Sequence, residues 1–215
     1  MKKSILIIAA VLMTSVIFAA NMKYYQKMGQ TLPKFGECKT IEDYHNLGNE
    51  FKVIANVEKE EWLPLYYHAQ CNIIMSFMNC DAAQKDEFLE IANESITKMI
   101  AIAPKESEVY ALQAFYCTGK LVVNPQERAQ KYGPLSAQAI GMSLGLDPEN
   151  PRAQYIKISN EKGTAQFFGQ DTQIYCTQAQ ELLDKWDDYK VKSRIHPSWG
   201  KQQVEGIVNS CGQTN

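Results

Sequence analysis

Apolar side chains recur every three or four residues through most of this chain, with polar side chains at many of the positions between them. Such a period places the apolar residues on one face of an α-helix, whereas a half-buried strand alternates them at every second position. Alternating β-branched stretches do not occur. The pattern therefore predicts an all-α fold whose short connections favour antiparallel neighbouring helices.

Capping residues, prolines and glycines set the expected helix boundaries. The predicted helices cover residues 22–29, 40–57, 61–79, 82–103, 107–118, 124–146, 151–160, 172–189 and a last helix that Pro197 opens. Gly119 is expected to end the fifth helix, and a loop is expected through Gly163 and Gly169. Gly133 and Pro134 are expected to break or kink the sixth, which favours two helices there.

The first twenty residues have a different pattern. Lys2 and Lys3 precede an apolar run over residues 5–18, and Ala19 and Ala20 follow it. This is the layout of a secretory signal peptide, and the run is shorter than the roughly 20 apolar residues of a membrane-spanning helix. We expect cleavage after Ala19 or Ala20, a periplasmic or secreted product, and no stable membrane insertion after cleavage.

Two segments of the chain are similar to each other. Residues 91–104 (IANESITKMIAIAP) and residues 135–148 (LSAQAIGMSLGLDP) align without a gap, which puts Pro104 and Pro148 44 residues apart. Gly119 and Gly163 have the same offset. A fixed period of this size, in helices that stop at a proline, predicts stacked helical hairpins.

Within residues 44–51 an aromatic residue is followed by leucine, glycine and a second aromatic residue at fixed spacings. Separately, two predicted helices end with a large apolar residue that stands two positions before a proline. The residues concerned are Tyr44, Leu47, Gly48 and Phe51, with Ile102-Ala103-Pro104 and Leu146-Asp147-Pro148. In these features the chain resembles the tetratricopeptide repeat (TPR) family over about residues 40–160. The resemblance implies a TPR-like α-α superhelix of stacked antiparallel hairpins over residues 40–211, after a lead-in segment at 21–39 and before a flexible tail at 212–215.

In the TPR family the first helices of successive hairpins line a concave groove. Carried over to this chain, the resemblance implies a candidate groove of eight residues on two helices. They are Glu42, His45, Asn49 and Lys52 on the first, and Arg152, Tyr155, Ser159 and Lys162 on the last. This mixture of charges and amides can bind a peptide backbone or terminus. Ordinary solvent exposure of the same side chains is the alternative.

Composition and motifs exclude several other functions. The chain has 22 basic and 24 acidic residues, and two of the lysines precede the expected cleavage site, so no basic surface for nucleic acid is expected. No phosphate-binding glycine loop or catalytic motif occurs, and His45, His68 and His196 are isolated in sequence. The sequence therefore predicts no enzymatic activity, no cofactor and no metal site.

All six cysteines lie beyond the expected cleavage site. In an exported protein they can form disulfides, because the environment outside the cytoplasm is oxidising. No C-x-x-C pair occurs. Cys71 and Cys117 lie inside apolar helical patterns, where a free thiol behaves as a small hydrophobe. The candidates for bridges are Cys38, Cys80, Cys176 and Cys211, and the sequence leaves open whether none, one or two bridges form.

Three functional hypotheses follow from these features. The first is an exported, non-enzymatic interaction module that binds a peptide or partner protein on its concave face. The second is a small-molecule binder or enzyme with a pocket around Tyr175, Trp186 and Trp199. The third is a self-associating structural protein of the cell envelope. The identity of the partner and the oligomeric state are left open.

Overall fold

The computed structural model describes residues 22–211, so the predicted signal peptide and the predicted tail lie outside the described residues. Within this range the chain is all-helical, as predicted. The α-helices are α1 (22–31), α2 (Ile41–Val57), α3 (Trp62–Phe77), α4 (Ala82–Ile102), α5 (Ser107–Val123), α6 (Pro125–Leu146), α7 (Pro151–Phe167), α8 (Gln173–Lys185) and α9 (Lys201–Cys211). Short 3-10 helices cover Leu32–Gly36 and Trp186–Asp188.

Side-chain caps explain where several helices begin. Thr40 Oγ1 accepts the amide of Asp43 at 3.1 Å, and the Asp43 carboxylate accepts the amide of Thr40 at 2.9 Å. This reciprocal capping box satisfies amides that an isolated first turn leaves unbonded. Asn150 accepts the amides of Arg152 and Ala153 in the same way, directly before the proline that opens α7. These starts agree with the sequence-based boundaries.

Several predicted boundaries are wrong because tertiary packing overrides the local signals. Helix α5 continues past Gly119 to Val123, and Gly119 is buried where α5 lies close to Leu89. Helix α6 is continuous through Gly133 and Pro134. Pro134 has no amide hydrogen, so the carbonyl of residue 130 has no helical donor. Both residues are exposed, and that carbonyl can accept from water instead.

The C-terminal boundaries differ as well. Helix α7 continues through Gly163 to Phe167, and the chain turns at Gly169, which has a φ of +64°. The last helix begins at Lys201 rather than at Pro197. Residues 189–200, which we call the return segment, form no regular helix.

Consecutive helices from α2 to α9 pack on each other, and a second set of contacts joins alternate ones. Helix α3 packs on α5, α5 on α7, and α7 on α9, whereas the even-numbered helices have no comparable packing on one another in the described range. The odd helices therefore form one layer and the even helices another. We call the layer that contains α3, α5 and α7, whose members contact one another directly, the inner face.

The core runs along the array and includes the predicted lead-in segment. Tyr24 and Met28 of α1 are buried in the largest apolar cluster, together with Phe51 and Ile96. Smaller clusters continue the core between α5, α6 and α7 and then between α7, α8 and α9. The segment at residues 21–39 is thus packed into the fold over its described part.

The return segment folds back over the inner face. Tyr67 donates from its hydroxyl to the carbonyl of Ile195 at 2.8 Å, and the Trp199 indole donates to the Tyr66 hydroxyl at 2.8 Å. Ile195 is buried in the same cluster as α1. The segment ends at Gly200, whose φ of +113° and closeness to the Trp186 ring leave no room for a side chain. The chain itself therefore covers part of the inner face.

Candidate functional site

A cavity of about 390 Å³ lies where the return segment meets the inner layer. This volume is within the range of small-molecule sites. Its walls come from the first 3-10 helix, α3, α5, the return segment and the start of α9. The apolar lining residues are Leu32, Phe35, Tyr67, Ile74, Phe115 and Trp199, and the polar ones are Gln70, Arg194, His196, Ser198, Gln202 and Gln203.

Aromatic rings form one wall of this cavity. The rings of Phe115 and Trp199 both line it, with centroids 5.3 Å apart and planes 32° apart. Outside the lining, Phe77 is stacked on Phe115 with centroids 5.1 Å apart and planes 17° apart. Phe77 is exposed, and Phe115 and Trp199 are half-buried. A run of partly accessible rings can accept a flat, apolar ligand by stacking.

Two hydrogen bonds hold the aromatic wall in place. The Trp199 indole is fixed by the buried hydroxyl of Tyr66, and Tyr67 is fixed by the backbone of the return segment. Burial raises the pKa of Tyr67, so its phenol stays protonated and continues to donate. The rings are therefore positioned before any ligand arrives, which lowers the entropic cost of binding.

Two of the polar residues that line the cavity, Gln70 and Arg194, bear most directly on the chemistry of a ligand. Gln70 is only 5% exposed, and its Oε1 atom has no hydrogen-bond partner in the described structure. A buried acceptor without a partner is costly, so a ligand or water that donates to it is favoured. Arg194 is the charged lining residue, and it gives the site a positive charge. The cavity thus suits a ligand with an apolar body and anionic groups.

The predicted groove residues of α2 lie away from this cavity. Glu42, His45, Asn49 and Lys52 are exposed on a helix of the outer layer, where the Asn49 amide contacts the His45 ring at 3.4 Å. The structure does not bring them together with the predicted residues of α7, which is a helix of the inner layer. The two groups of residues are apart because α2 and α7 belong to different layers. Helices α3, α5 and α7 form one layer, and α2 lies in the other.

The predicted groove residues of α7 are largely engaged within the fold. Arg152 is 1% exposed and forms a buried ion pair with Glu108. Tyr155 lies edge-on to Trp199 at 6.3 Å, Ser159 is half-buried, and Lys162 donates to the side chain of Ser210 on α9 at 3.0 Å. Peptide binding by either group of residues stays a prediction.

One pair of the candidate cysteines is joined. A disulfide links Cys176 of α8 to Cys211 of α9, 35 residues apart in the chain. Cys38 and Cys80 form no disulfide, and each thiol donates to a nearby backbone carbonyl. The buried cysteines of α3 and α5 are free thiols, as their apolar surroundings predicted.

The pocket that the sequence placed in the C-terminal half is only partly present. Trp199 lines the cavity, whereas Tyr175 and Trp186 pack inside the apolar cluster of α7, α8 and α9. The contributions of α3, α5 and the first 3-10 helix to this cavity were not predicted from the sequence. A usable signal was the stretch from Arg194 to Trp199, which combines basic, imidazole and aromatic side chains without a helical period.

A second hollow of about 450 Å³ lies on the outer side, between α4 and α6 and over α5. Its lining includes Tyr116, Tyr132, Met142 and Lys131, whose ammonium lies 5.0 Å from the centre of the Tyr132 ring. Neither an imidazole nor an arginine lines this hollow. Lys131 makes it a useful charge-matched control for Arg194.

Over residues 22–211, no helix combines the length and the apolar character needed to cross a bilayer. In the same range, no three or more His, Cys, Asp or Glu side chains cluster in a way that could hold a metal ion.

Neither a protein-family model nor a curated protein matches this chain. Among solved structures, the HusA haemophore from Porphyromonas gingivalis is similar, with a TM-score of 0.77 and 28% sequence identity. The match covers 89% of this chain and 94% of that chain. The chain thus shares its all-helical fold, over most of its length, with a haemophore.

Proposed function

We propose that this chain is an exported binding protein that carries haem or a related porphyrin in the cavity between the inner layer and the return segment. The observation that carries the proposal is the lining of that cavity, which joins the contacting rings of Phe115 and Trp199 to Arg194 and His196. A porphyrin has a matching chemistry, since its macrocycle is flat and apolar and its propionates are anionic. The similarity to a haemophore supports the same ligand class.

The return segment argues for a small ligand rather than a peptide. Because this segment covers part of the inner face, a peptide along that face would have to displace contacts such as those of Ile195 and Trp199. A flat molecule can enter the remaining cavity without breaking them. The proposed ligand therefore lies where the second sequence hypothesis placed one wall, at Trp199.

A hemin titration of the mature protein, residues 21–215, tests this proposal. Binding is followed by the quenching of tryptophan fluorescence and by the absorbance of haem. Saturable one-site binding is expected. Arg194→Gln should weaken hemin binding by about threefold to tenfold, because a partly exposed ion pair is worth roughly 1 kcal/mol. Lys131→Gln removes the same charge from the second hollow and should leave the affinity unchanged. Equal losses in both variants would count against the cavity.

Hemin dimethyl ester gives a second control, because it lacks the carboxylates. Arg194→Gln should change its affinity much less than it changes the affinity for hemin. Absence of saturable binding of either porphyrin by the unaltered protein would exclude the proposed function.

Export is part of the same proposal and has its own test. The expected mature N-terminus is Ala20 or Asn21, and a haem carrier must meet its ligand outside the cytoplasm. N-terminal sequencing of the protein recovered from the periplasm or the medium checks this directly. A chain lacking residues 2–20 should stay in the cytoplasm, and recovery of intact chains that begin at Met1 would contradict cleavage.

A further inference from the structure

His196 lies in the wall of the cavity and is held from two sides. Its Nδ1 atom is 2.7 Å from the Ser193 hydroxyl, and its ring meets that of Trp62 edge-on, with centroids 5.7 Å apart. In the described structure no protein group is hydrogen-bonded to Nε2. The imidazole is therefore oriented by the fold and has one nitrogen left for a ligand.

The charge state of this imidazole also suits a ligand role. Burial lowers the pKa of His196 below its ordinary value; Glu106 raises it, and Lys192 and Arg152 lower it. Burial therefore favours the neutral form of the ring. In the tautomer in which Nδ1 donates to Ser193, Nε2 carries the lone pair. Histidines that bind metals commonly have such a partner on the other nitrogen.

Other potential ligands of iron at the cavity are less suitable. The Tyr67 phenol stays protonated and already donates to the carbonyl of Ile195. Neither cysteine nor methionine is among the side chains that line the cavity. A single imidazole cannot hold a bare metal ion firmly, but it can occupy one axial position of an iron whose other bonds come from a porphyrin.

We propose that Nε2 of His196 is an axial ligand of the iron of haem bound in this cavity, with Ser193 as the residue that positions the ring. This inference rests on the proposed function and names the bond that distinguishes haem from an iron-free porphyrin at the site. The iron remains ferric, and no electron or proton transfer is required for the bond to form.

The experiment compares hemin with metal-free protoporphyrin IX on the mature protein and on two variants. His196→Ala removes the proposed ligand, and His45→Ala removes an exposed histidine of α2 outside the cavity. Absorbance and electron paramagnetic resonance spectra report the iron's ligand, and titrations report both affinities. His196→Ala should lose the nitrogen-ligated ferric spectrum and weaken hemin binding by about tenfold or more.

Protoporphyrin IX should bind His196→Ala and the unaltered protein within about twofold of each other, because it has no iron to bind. Added imidazole should restore the nitrogen-ligated spectrum in His196→Ala. Ser193→Ala should weaken hemin binding to a smaller extent and shift the spectrum without abolishing it. His45→Ala should behave as the unaltered protein does.

The outcomes separate the two proposals. If hemin binds with the same spectrum and affinity to His196→Ala and to the unaltered protein, axial ligation by His196 is overturned and porphyrin binding stands. If His196→Ala weakens the binding of protoporphyrin IX as much as the binding of hemin, the side chain of His196 shapes the cavity and does not bind the iron. That result also overturns axial ligation by His196. If neither porphyrin binds the unaltered protein, both proposals fail.

Discussion

The guanidinium of Arg152 and the carboxylate of Glu108 form an ion pair that is almost completely buried. Arg152 Nε lies 2.8 and 2.7 Å from the two carboxylate oxygens, and Asn150 donates to the same carboxylate at 3.0 Å. The guanidinium also lies 5.2 Å from the centre of the Tyr189 ring. This pair therefore joins α5 to α7 and to the beginning of the return segment.

Removing one member of this pair should be far more damaging than removing both. Arg152→Met leaves a buried carboxylate without its counter-charge, and we expect a loss of about 3 to 5 kcal/mol in the free energy of unfolding. Adding Glu108→Leu should recover much of that loss. Urea unfolding measures all three proteins. Lys201→Met, which breaks an exposed pair with Asp187, is the control and should cost less than about 1 kcal/mol.

Stability should fall as the pH falls from 7 to 5, and His68 should be a main cause. Burial lowers the pKa of His68 to about 4, against 6.5 in an unfolded chain, and its Nδ1 is 2.8 Å from the Ser95 hydroxyl. Between these values the unfolded chain binds a proton that the folded chain does not. Stability is therefore lost on acidification, by about 2 kcal/mol between pH 7 and pH 5.

Urea unfolding at both pH values checks this expectation. His68→Gln should show a smaller loss than the unaltered protein, while Lys131→Gln, in an exposed position of α6 that does not act on the pKa of His68, should show the same loss. The carboxylates contribute equally to the pH dependence of stability in all three proteins, so their contribution cancels when the losses are compared. Identical pH dependence in His68→Gln and the unaltered protein would contradict the prediction.

The helical glycines should respond to alanine in opposite directions. A Cβ atom at Gly119 would lie 2.8 Å from Cδ2 of the fully buried Leu89, so Gly119→Ala should cost about 1 to 3 kcal/mol. Gly163 lies inside α7 with open space around it, and Gly163→Ala should stabilise by roughly 0.5 to 1 kcal/mol. Thermal and urea unfolding of the two variants give the comparison. A stabilised Gly119→Ala would show that α4 and α5 can separate at no cost.

The disulfide between Cys176 and Cys211 should stabilise the C-terminal helices. It closes a loop between positions 35 residues apart, for which chain entropy predicts about 3 to 4 kcal/mol. The double variant Cys176→Ser with Cys211→Ser should lose a comparable amount. Thiol titration of the denatured, unreduced protein should find four thiols, corresponding to Cys38, Cys71, Cys80 and Cys117. Six thiols would contradict the bridge.

Local signals predicted much of the fold. The capping box at Thr40 and the Asn-Pro starts of α6 and α7 follow from hydrogen bonds within one turn, so a short stretch of sequence contains them. Gly119 and Pro134 were misread because their effect depends on surroundings. Gly119 is needed for a close helix contact, and Pro134 lies on an exposed face where water can replace the lost bond.

The candidate site was much less accessible to sequence reasoning. The bonds that shape it join Tyr67 to Ile195 and Tyr66 to Trp199, positions 128 and 133 residues apart. Periodicity describes which face of a helix is buried, but it contains no information on which distant segment covers that face. The predicted groove was therefore placed on α2, whereas the neighbouring helix α3 is the one that lines the cavity.

The return segment has a consequence for how proteins of this fold can diversify. Its residues contribute Arg194, His196, Ser198 and Trp199 to the cavity while forming none of the regular helices. Substitutions at these positions would alter the charge, the hydrogen-bonding groups and the shape of the cavity wall, while the contacts between consecutive helices involve other residues. A new cargo could thus evolve by changes in one stretch of chain, with the helical frame left intact.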